Sequence, residues 1–249
     1  MLPSWHTFYV LGAFCAYFIM NSLAKKIPNL DLTKINQIFA LCYIAGYFGA
    51  RILSIFVDEG AGSVGDFFTK LVTLGPMTFY GGAIGSAVVG ILYSFKTKMA
   101  LKDILDIAMP AGLVALAVGR IGCFLNGDDF GIPTTLQGDD APWYGVVFPN
   151  LQDGLSRIPV QLISTITVGA FALYLILNFS RFRSKFGYGF IGIVSVWGYS
   201  ILRFFIEFMR GDTRGYVYIE SISTSQFISI NLFIISGVFL ASHFKKAHS

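Results

Sequence analysis

The sequence predicts an all-α protein that crosses a membrane seven times, with its N-terminus outside and its C-terminus inside. Hydrophobic residues make up 55% of the 249 residues and charged residues only 13%, against roughly 25% charged residues in a soluble domain. The mean hydropathy is +0.67. Seven apolar stretches approach the ~20 residues that a bilayer core requires, and basic residues follow every second stretch. No linker-like change of composition divides the chain, so we expect one domain over residues 1–249.

The predicted spans follow the apolar stretches in chain order. They cover residues 5–24, 36–57, 78–95, 103–119, 159–179, 188–206 and 226–244. The fourth span is the least regular, because Asp103 and Asp106 lie at its start and Pro110 interrupts it. Neighbouring helices can satisfy the carbonyl that such a proline frees. The first span has no basic segment before it and no cleavage pattern after it, so we expect it to be retained rather than removed as a signal peptide.

Basic residues predict the orientation, because Lys and Arg accumulate in short loops on the cytoplasmic side of a membrane. They follow the odd-numbered spans: Lys25, Lys26, Lys34, Lys96, Lys98, Lys102, Arg181, Arg183, Lys185, Lys245 and Lys246. The other connections, 58–77, 120–158 and 207–225, hold most of the acidic residues. This alternation indicates an external N-terminus, and one span more or fewer would destroy it.

The connection over residues 120–158 is long and rich in aromatic residues. Its segments GDDF, TTLQGDDAPWYG and FPNLQDG predict turns around short extended or amphipathic pieces. Aromatic side chains favour the headgroup level of a bilayer, so we expect a small cap on the outer face. The three cysteines are odd in number and predict no disulfide framework. The net charge of +4 is small and does not indicate a nucleic-acid partner.

Arginines at membrane depth are the first candidates for a functional site. An arginine there costs about 2.5–3.5 kcal/mol on insertion scales, so it persists where it meets a partner or a ligand. Arg51, Arg120 and Arg203 lie at the predicted outer ends of spans two, four and six. Glu207 and Arg210 follow Arg203 at spacings that predict one shared helical face. The alternatives are a structural ion pair on that face and, for Arg120, snorkelling to the interface.

The segment GRIGCFLNGDDFG, residues 119–131, surrounds Arg120 with small and polar residues. Four glycines allow a backbone or a ligand to approach closely. Asn126 and Asp128 add polar atoms within two turns of the arginine. A guanidinium beside exposed backbone amides, at the depth of lipid phosphates, suits recognition of a phosphodiester headgroup. We therefore hypothesise a phospholipid ligand.

Two further polar residues lie at predicted outer helix ends. Tyr80 precedes Gly81 and Gly85, a GxxxG pair that more often marks tight helix packing than a site. The phenol either belongs to the membrane interface or faces the same pocket as Arg120. The same two interpretations are open for His6, at the start of the first span.

Together these motifs resemble those of the bacterial prolipoprotein diacylglyceryl transferase family. GRIGCFLNGDDFG is similar to the family signature Gly-Arg-x-Gly-Asn-Phe-x-Asn-Gly-Glu-x-x-Gly. Further similar stretches follow in the same order: GARI at 49–52, GPMTFYGGAIG at 75–85, RIPVQL at 157–162, LRFFIEFMR at 202–210 and TSQFISI at 224–230. The resemblance spans nearly the whole chain and implies the same seven-helix architecture.

The resemblance implies an enzyme that uses two substrates. Such an enzyme transfers the diacylglyceryl group of phosphatidylglycerol to the lipobox cysteine thiol of a prolipoprotein and releases glycerol phosphate. No metal or cofactor is implied. The implied location is the bacterial plasma (inner) membrane, with the active face toward the periplasm or exterior.

The resemblance also implies roles for individual residues. Arg120 would hold the lipid phosphate and offset charge on the leaving group. Arg203 would assist in binding the phosphate, and Glu207 would orient Arg203. Tyr80 would occupy a catalytic position at the start of the third predicted span. Further residues are implied in binding phosphatidylglycerol: Asn126, Asp128, Gly131, Gln161 and His6.

Three departures from the family pattern bear on the chemistry. Tyr80 stands where the family usually carries His, Cys123 replaces the first Asn of the signature, and IPVQLIS replaces HPxQLYE. A phenol with a pKa of about 10 is a poorer base than imidazole at neutral pH. Glu207, Asp128 and His6 therefore remain candidates for the base that removes the thiol proton. Two alternatives to the enzyme also stay open: a non-catalytic paralogue that binds anionic lipid or a signal peptide, and a transporter.

Overall fold

The computed structural model describes residues 4–73, 75–134, 141–212 and 222–247, which are mainly helical. The elements in chain order are α1 (Ser4–Ala24), α2 (Leu32–Ser54), a π-helix (Ile55–Glu59), α3 (Val64–Val72), α4 (Phe79–Thr97), α5 (Leu101–Asn126), β1 (Val146–Val147), a 3₁₀ turn (Pro149–Leu151), β2 (Ser156–Arg157), α6 (Val160–Leu177), α7 (Phe179–Phe186), α8 (Phe190–Glu207) and α9 (Thr224–Ala247). The prediction of an all-α membrane protein is confirmed in this coarse form.

Six helices of the described part are long and apolar enough to cross a membrane. They are α1, α2 with the π-helix, α5, α6, α8 and α9. Helix α4 has 19 residues, but several are glycines and its last turn contains Lys96, and it is not among the six. The structure therefore supports a polytopic membrane protein. Seven spans and their orientation stay predictions.

The chain divides into two compact units, Ile27–Ile104 and Met1–Lys26 with Leu105–Ser249. In the first unit, α2 and α4 pack backbone against backbone. A side chain on Gly81 would collide with the carbonyl oxygen of Gly49, and a side chain on Gly49 would collide with that of Gly81. A Cβ atom on Gly85 would lie 2.5 Å from the carbonyl oxygen of Ala45. The GxxxG pair is thus a helix-packing motif.

We expect Gly81→Val to lower the free energy of unfolding by about 1–3 kcal/mol, the usual cost of overpacking. The valine would force α4 away from the α2 backbone. Gly62→Val is the matched control, because a Cβ atom at Gly62 meets no atom within 4 Å. Thermal unfolding of the detergent-purified protein measures the difference. Equal melting temperatures for the two variants would contradict the packing assignment.

Arg51, one of the three candidate arginines, is a buried structural residue of the same unit. Its Nη1 donates to Oε1 of Glu59 and to the carbonyl oxygen of Pro76, both at 2.6 Å. Its Nη2 donates to the carbonyl oxygen of Lys70. The guanidinium therefore meets a partner rather than a ligand, and it ties the end of α2 to the connection that leads into α4.

Asp106 joins α5 to the start of α8 within the other unit. It is fully buried, and its Oδ2 lies 2.8 Å from both Nη1 of Arg183 and the backbone N–H of Gly189. Its Oδ1 accepts from the backbone N–H of Gly192 at 2.9 Å. A helix N-terminus has unpaired backbone donors and favours negative charge. Asp106 is thus a structural cap for α8.

We expect Asp106→Ala to lower the free energy of unfolding by about 3–5 kcal/mol, because it leaves the largely buried Arg183 without its carboxylate. Asp103→Ala, in the same helix but partly exposed, is expected to have a smaller effect. Thermal unfolding in detergent tests the order. A larger loss at Asp103 would contradict it.

The connection between α5 and α6 contains the predicted short extended pieces. Strands β1 and β2 pair antiparallel, with Val146 opposite Arg157 and Val147 opposite Ser156. Helix α5 continues to Asn126 instead of ending at residue 119. Arg120 therefore lies within the last two turns of a helix, and the connection to α6 begins later than predicted.

Candidate functional site

Asp129 lies between two arginines just after α5. Its Oδ2 accepts a hydrogen bond from Nη1 of Arg120, and its Oδ1 accepts one from Nη2 of Arg210 at 2.5 Å. The exposed fractions of the side chains are 31% for Asp129, 17% for Arg120 and 10% for Arg210. Both ion pairs are therefore partly shielded from water, where charge contacts are stronger than at an open surface.

The surrounding charges keep Asp129 ionised. Burial raises the pKa of this carboxyl group, but the positive charges of Arg120, Arg210 and Arg203 lower the pKa by more, so it lies below its ordinary value. All three guanidinium groups thus act on one carboxylate. Arg120 and Arg203, which the sequence predicted to cooperate, belong to the same charge cluster.

Arg210 does not lie on the helical face predicted for it, because α8 ends at Glu207. Its Nε and Nη2 donate to the two carboxylate oxygens of Asp212 at 2.9 and 2.5 Å. Its backbone forms an isolated antiparallel bridge with Gly131. The prediction of one face shared with Arg203 and Glu207 is therefore wrong for Arg210. This arginine is occupied by two carboxylates.

Backbone hydrogen bonds hold the segment after Asp129 on both sides. The N–H of Ile132 donates to the carbonyl oxygen of Met209 at 3.0 Å, and the N–H of Ile158 donates to that of Ile132 at 3.1 Å. A side chain at Gly131 would collide with the carbonyl oxygen of Ile158. The glycine is required for this close approach, which fixes the backbone that presents Asp129.

Asn126 and Asp128 contact each other. Nδ2 of Asn126 donates to Oδ2 of Asp128, and both residues are exposed. The backbone carbonyl of Asp128 accepts from Nε2 of the buried Gln161 at 2.6 Å. Gln161 therefore anchors the loop to α6. The acid that contacts Arg120 is Asp129, which the sequence did not single out from its neighbour, because the family signature places its acid at position 128.

Arg203 and Glu207 form an ion pair at the end of α8, with Nη2 2.7 Å from Oε2. Glu207 is 1% exposed, and its Oε1 accepts from Oγ of Ser223 at 2.8 Å. Nη2 of Arg203 also donates to Oγ of Ser225 at 3.0 Å. The ion pair is therefore bonded to the start of α9. The TSQFISI motif indicated this segment, but the hydropathy pattern did not predict the contacts of the Ser223 and Ser225 hydroxyl groups.

Arg120 and Arg203 share one feature that matters for ligand binding. Within the described residues, the hydrogen bonds and ion pairs of Arg120 all use Nη1, and those of Arg203 all use Nη2. Neither side chain is completely buried. Each guanidinium therefore retains donors for a further acceptor, and a planar guanidinium matches two oxygens of a phosphate.

Tyr80 and His6 lie at the starts of two helices. Tyr80 is in the first turn of α4, within the unit Ile27–Ile104, with its ring centroid 5.8 Å from that of Phe79. His6 is in the first turn of α1 and is partly buried. Their roles stay predictions. Among the described residues, no group of three or more His, Cys, Asp or Glu side chains is arranged to hold a metal ion.

Comparison with known proteins finds relatives over nearly the whole chain. The prolipoprotein diacylglyceryl transferase family model matches residues 3–242. The phosphatidylglycerol–prolipoprotein diacylglyceryl transferase of Clostridium tetani is 35% identical over 234 residues, which cover 92% of this chain and 88% of that protein. The enzyme of the same name from Finegoldia magna is 30% identical over 243 residues, covering 95% and 88%. The corresponding transferase 2 of Clostridium perfringens is 33% identical over 239 residues, covering 92% and 86%. The resemblance seen in the sequence is confirmed, and the chain belongs to the prolipoprotein diacylglyceryl transferase family.

Proposed function

We propose that this protein transfers the diacylglyceryl group of phosphatidylglycerol to a cysteine thiol of a prolipoprotein. Family membership and the names of the relatives support this activity. The observation that carries it is the pair of arginines Arg120 and Arg203: Arg120 is bonded to Asp129 through Nη1, Arg203 is held by Glu207 and Ser225 through Nη2, and each guanidinium has further donors. A phosphodiester is the ligand that two such cations suit best.

The reaction exchanges one bond for another. The cysteine sulfur attacks the diacylglyceryl carbon that carries the phosphate, a carbon–sulfur bond forms, and the carbon–oxygen bond breaks. Glycerol phosphate leaves with one negative charge more than the phosphodiester had. Arg120 and Arg203 offset this developing charge, and fixed donors at that position are worth about 10²- to 10³-fold in rate.

The thiol proton requires an acceptor, because a free cysteine has a pKa of about 8.5. Glu207 already accepts from Ser223 and pairs with Arg203, so it fits an orienting role directly. Asp128 and His6 stay candidates for the base, and Tyr80 stays a candidate catalytic residue. Asn126, Gly131 and Gln161 are proposed to shape the headgroup site by holding the loop that follows α5.

The same proposal includes the acceptor, the location of the protein and its membrane topology. The acceptor is a lipobox cysteine beside a signal peptide, and the protein lies in the bacterial inner membrane with its active face outward. The chain 1–249 acts as one domain with seven spans, an external N-terminus and a cap between α5 and α6. Alternating basic connections support this orientation.

Reconstitution tests the proposed activity. The purified chain is incorporated into phosphatidylglycerol vesicles with a synthetic lipobox peptide, and mass spectrometry follows the mass of the peptide. We expect a thioether-linked diacylglyceryl product that is absent from phosphatidylethanolamine vesicles and from a peptide with serine in place of cysteine. Lipid retention without any product would instead establish the non-catalytic alternative.

A further inference from the structure

The start of α9 forms a capping box that is built onto the Arg203–Glu207 ion pair. The backbone N–H of Gln226 donates to Oγ of Ser223 at 3.2 Å, and the backbone N–H of Ser223 donates to Oε1 of Gln226 at 3.1 Å. These reciprocal bonds satisfy two backbone donors at the helix start. Ser223 and Gln226 are 2% and 5% exposed, so this capping box lies in the protein interior.

The same Ser223 hydroxyl serves the cap and the ion pair at once. It accepts from Gln226 and donates to Oε1 of Glu207 at 2.8 Å. A hydroxyl has one proton and two lone pairs, so the two contacts together define its direction. Ser225, one residue into α9, accepts from Arg203. Arg203, Glu207 and the first turn of α9 therefore form a closed ring of contacts.

This ring determines which edge of Arg203 is free. Glu207 and Ser225 both engage Nη2, so these two contacts hold the guanidinium at one of its three nitrogens. Glu207 also lies at the N-terminus of α9, where the helix dipole stabilises negative charge. The carboxylate is thus shared between the helix and the arginine.

We propose that Ser223 and Gln226 are positioning residues that act through Glu207 to aim Arg203 at the phosphate of the lipid substrate. This inference rests on the proposed function. Neither residue needs to touch the substrate. Their effect on turnover passes through the orientation of a single guanidinium, so it should depend on the presence of that arginine.

A double-mutant cycle measures this dependence, using the reconstituted full chain and phosphatidylglycerol vesicles. We expect Ser223→Ala to lower kcat/KM about tenfold, the value of one hydrogen bond to a charged group. Ser223→Thr should retain activity within about threefold, because threonine keeps the hydroxyl and also caps helices. Added to Arg203→Lys, Ser223→Ala should cost less than about twofold more, because the group it positions is already lost.

Ser236→Ala is the matched control, since Ser236 is a buried serine of α9 whose hydroxyl donates to backbone carbonyls of its own helix. Equal activity of Ser223→Ala and Ser236→Ala would overturn the inference. A full tenfold loss on top of Arg203→Lys would do the same, because it would show a general structural role. If Ser223→Ala does not fold, Gln226→Ala replaces it, because it removes the other half of the same capping box, and the same coupling is expected.

The proposed function and this inference can fail separately. A wild-type chain without thioether product would contradict the activity alone. Retention of phosphatidylglycerol in nanodiscs then decides the positioning role, with native mass spectrometry as the readout. Weaker retention by Ser223→Ala than by Ser236→Ala would support it, and equal retention would refute it.

Discussion

Arg120→Ala is expected to lower kcat/KM for phosphatidylglycerol by about 10²- to 10³-fold, the usual loss when a fixed donor to a developing anion is removed. The side chain contacts Asp129 through Nη1 and has further donors that suit the phosphate of the proposed substrate. Arg120→Lys should be intermediate, because lysine restores the charge but not the planar pair of donors.

The control for this prediction is Arg181→Ala. Arg181 is an exposed arginine of α7, so its removal changes the net charge equally without altering the cluster. Peptide lipidation in phosphatidylglycerol vesicles, normalised to folded protein, gives the rates. Similar activity of the Arg120 and Arg181 variants would contradict a phosphate-binding role for Arg120.

Asp129→Asn is expected to lower the free energy of unfolding by about 1.5–3 kcal/mol, because it removes the negative charge to which Arg120 and Arg210 are bonded. Turnover should also fall, because Arg120 loses its anchor. Asp128→Asn should cost less in both respects, since Asp128 is exposed and its carboxylate accepts from a neutral amide. The two variants differ by one position in the sequence and share the same change of chemistry.

The pH dependence of the melting temperature gives a second measure of how much Asp129 contributes to stability. Its pKa is lowered in the folded protein, so its contribution is present above the unfolded pKa of about 3.9 and is lost as the pH falls through the lower folded value. The melting-temperature difference between wild type and Asp129→Asn should therefore be constant from pH 8 to about pH 5 and shrink below about pH 4. A difference that grows on acidification, or a larger effect at Asp128, would contradict the assignment.

The helices were predictable because a bilayer imposes a length and an apolar composition on each of them. The predicted spans 5–24 and 226–244 differ by only a few residues from Ser4–Ala24 and Thr224–Ala247. Helix α5 extends past its predicted end because polar residues such as Asn126 can occupy the last turn of a helix once it leaves the apolar layer. Hydropathy reports the apolar part of a helix and not its polar end.

The partners within the site could not be predicted in the same way. Asp128 and Asp129 are chemically identical in the sequence, and only the folded backbone shows that Asp129 is the carboxylate that contacts Arg120. Periodicity placed Arg210 on the α8 face, but the helix ends at Glu207 and the chain then pairs with Gly131. The contacts of Arg210 with Asp129 and Gly131 join residues about 80 positions apart, and a single sequence does not encode them in any local pattern.

We propose that Arg120 and Arg203 both bind the phosphate of the lipid donor. An experimental structure with phosphatidylglycerol bound tests it most directly. We expect phosphate oxygens about 2.7–2.9 Å from guanidinium nitrogens of both arginines, with Asp129 still bonded to Nη1 of Arg120. A headgroup bound elsewhere, with neither guanidinium in contact with it, would contradict the claim.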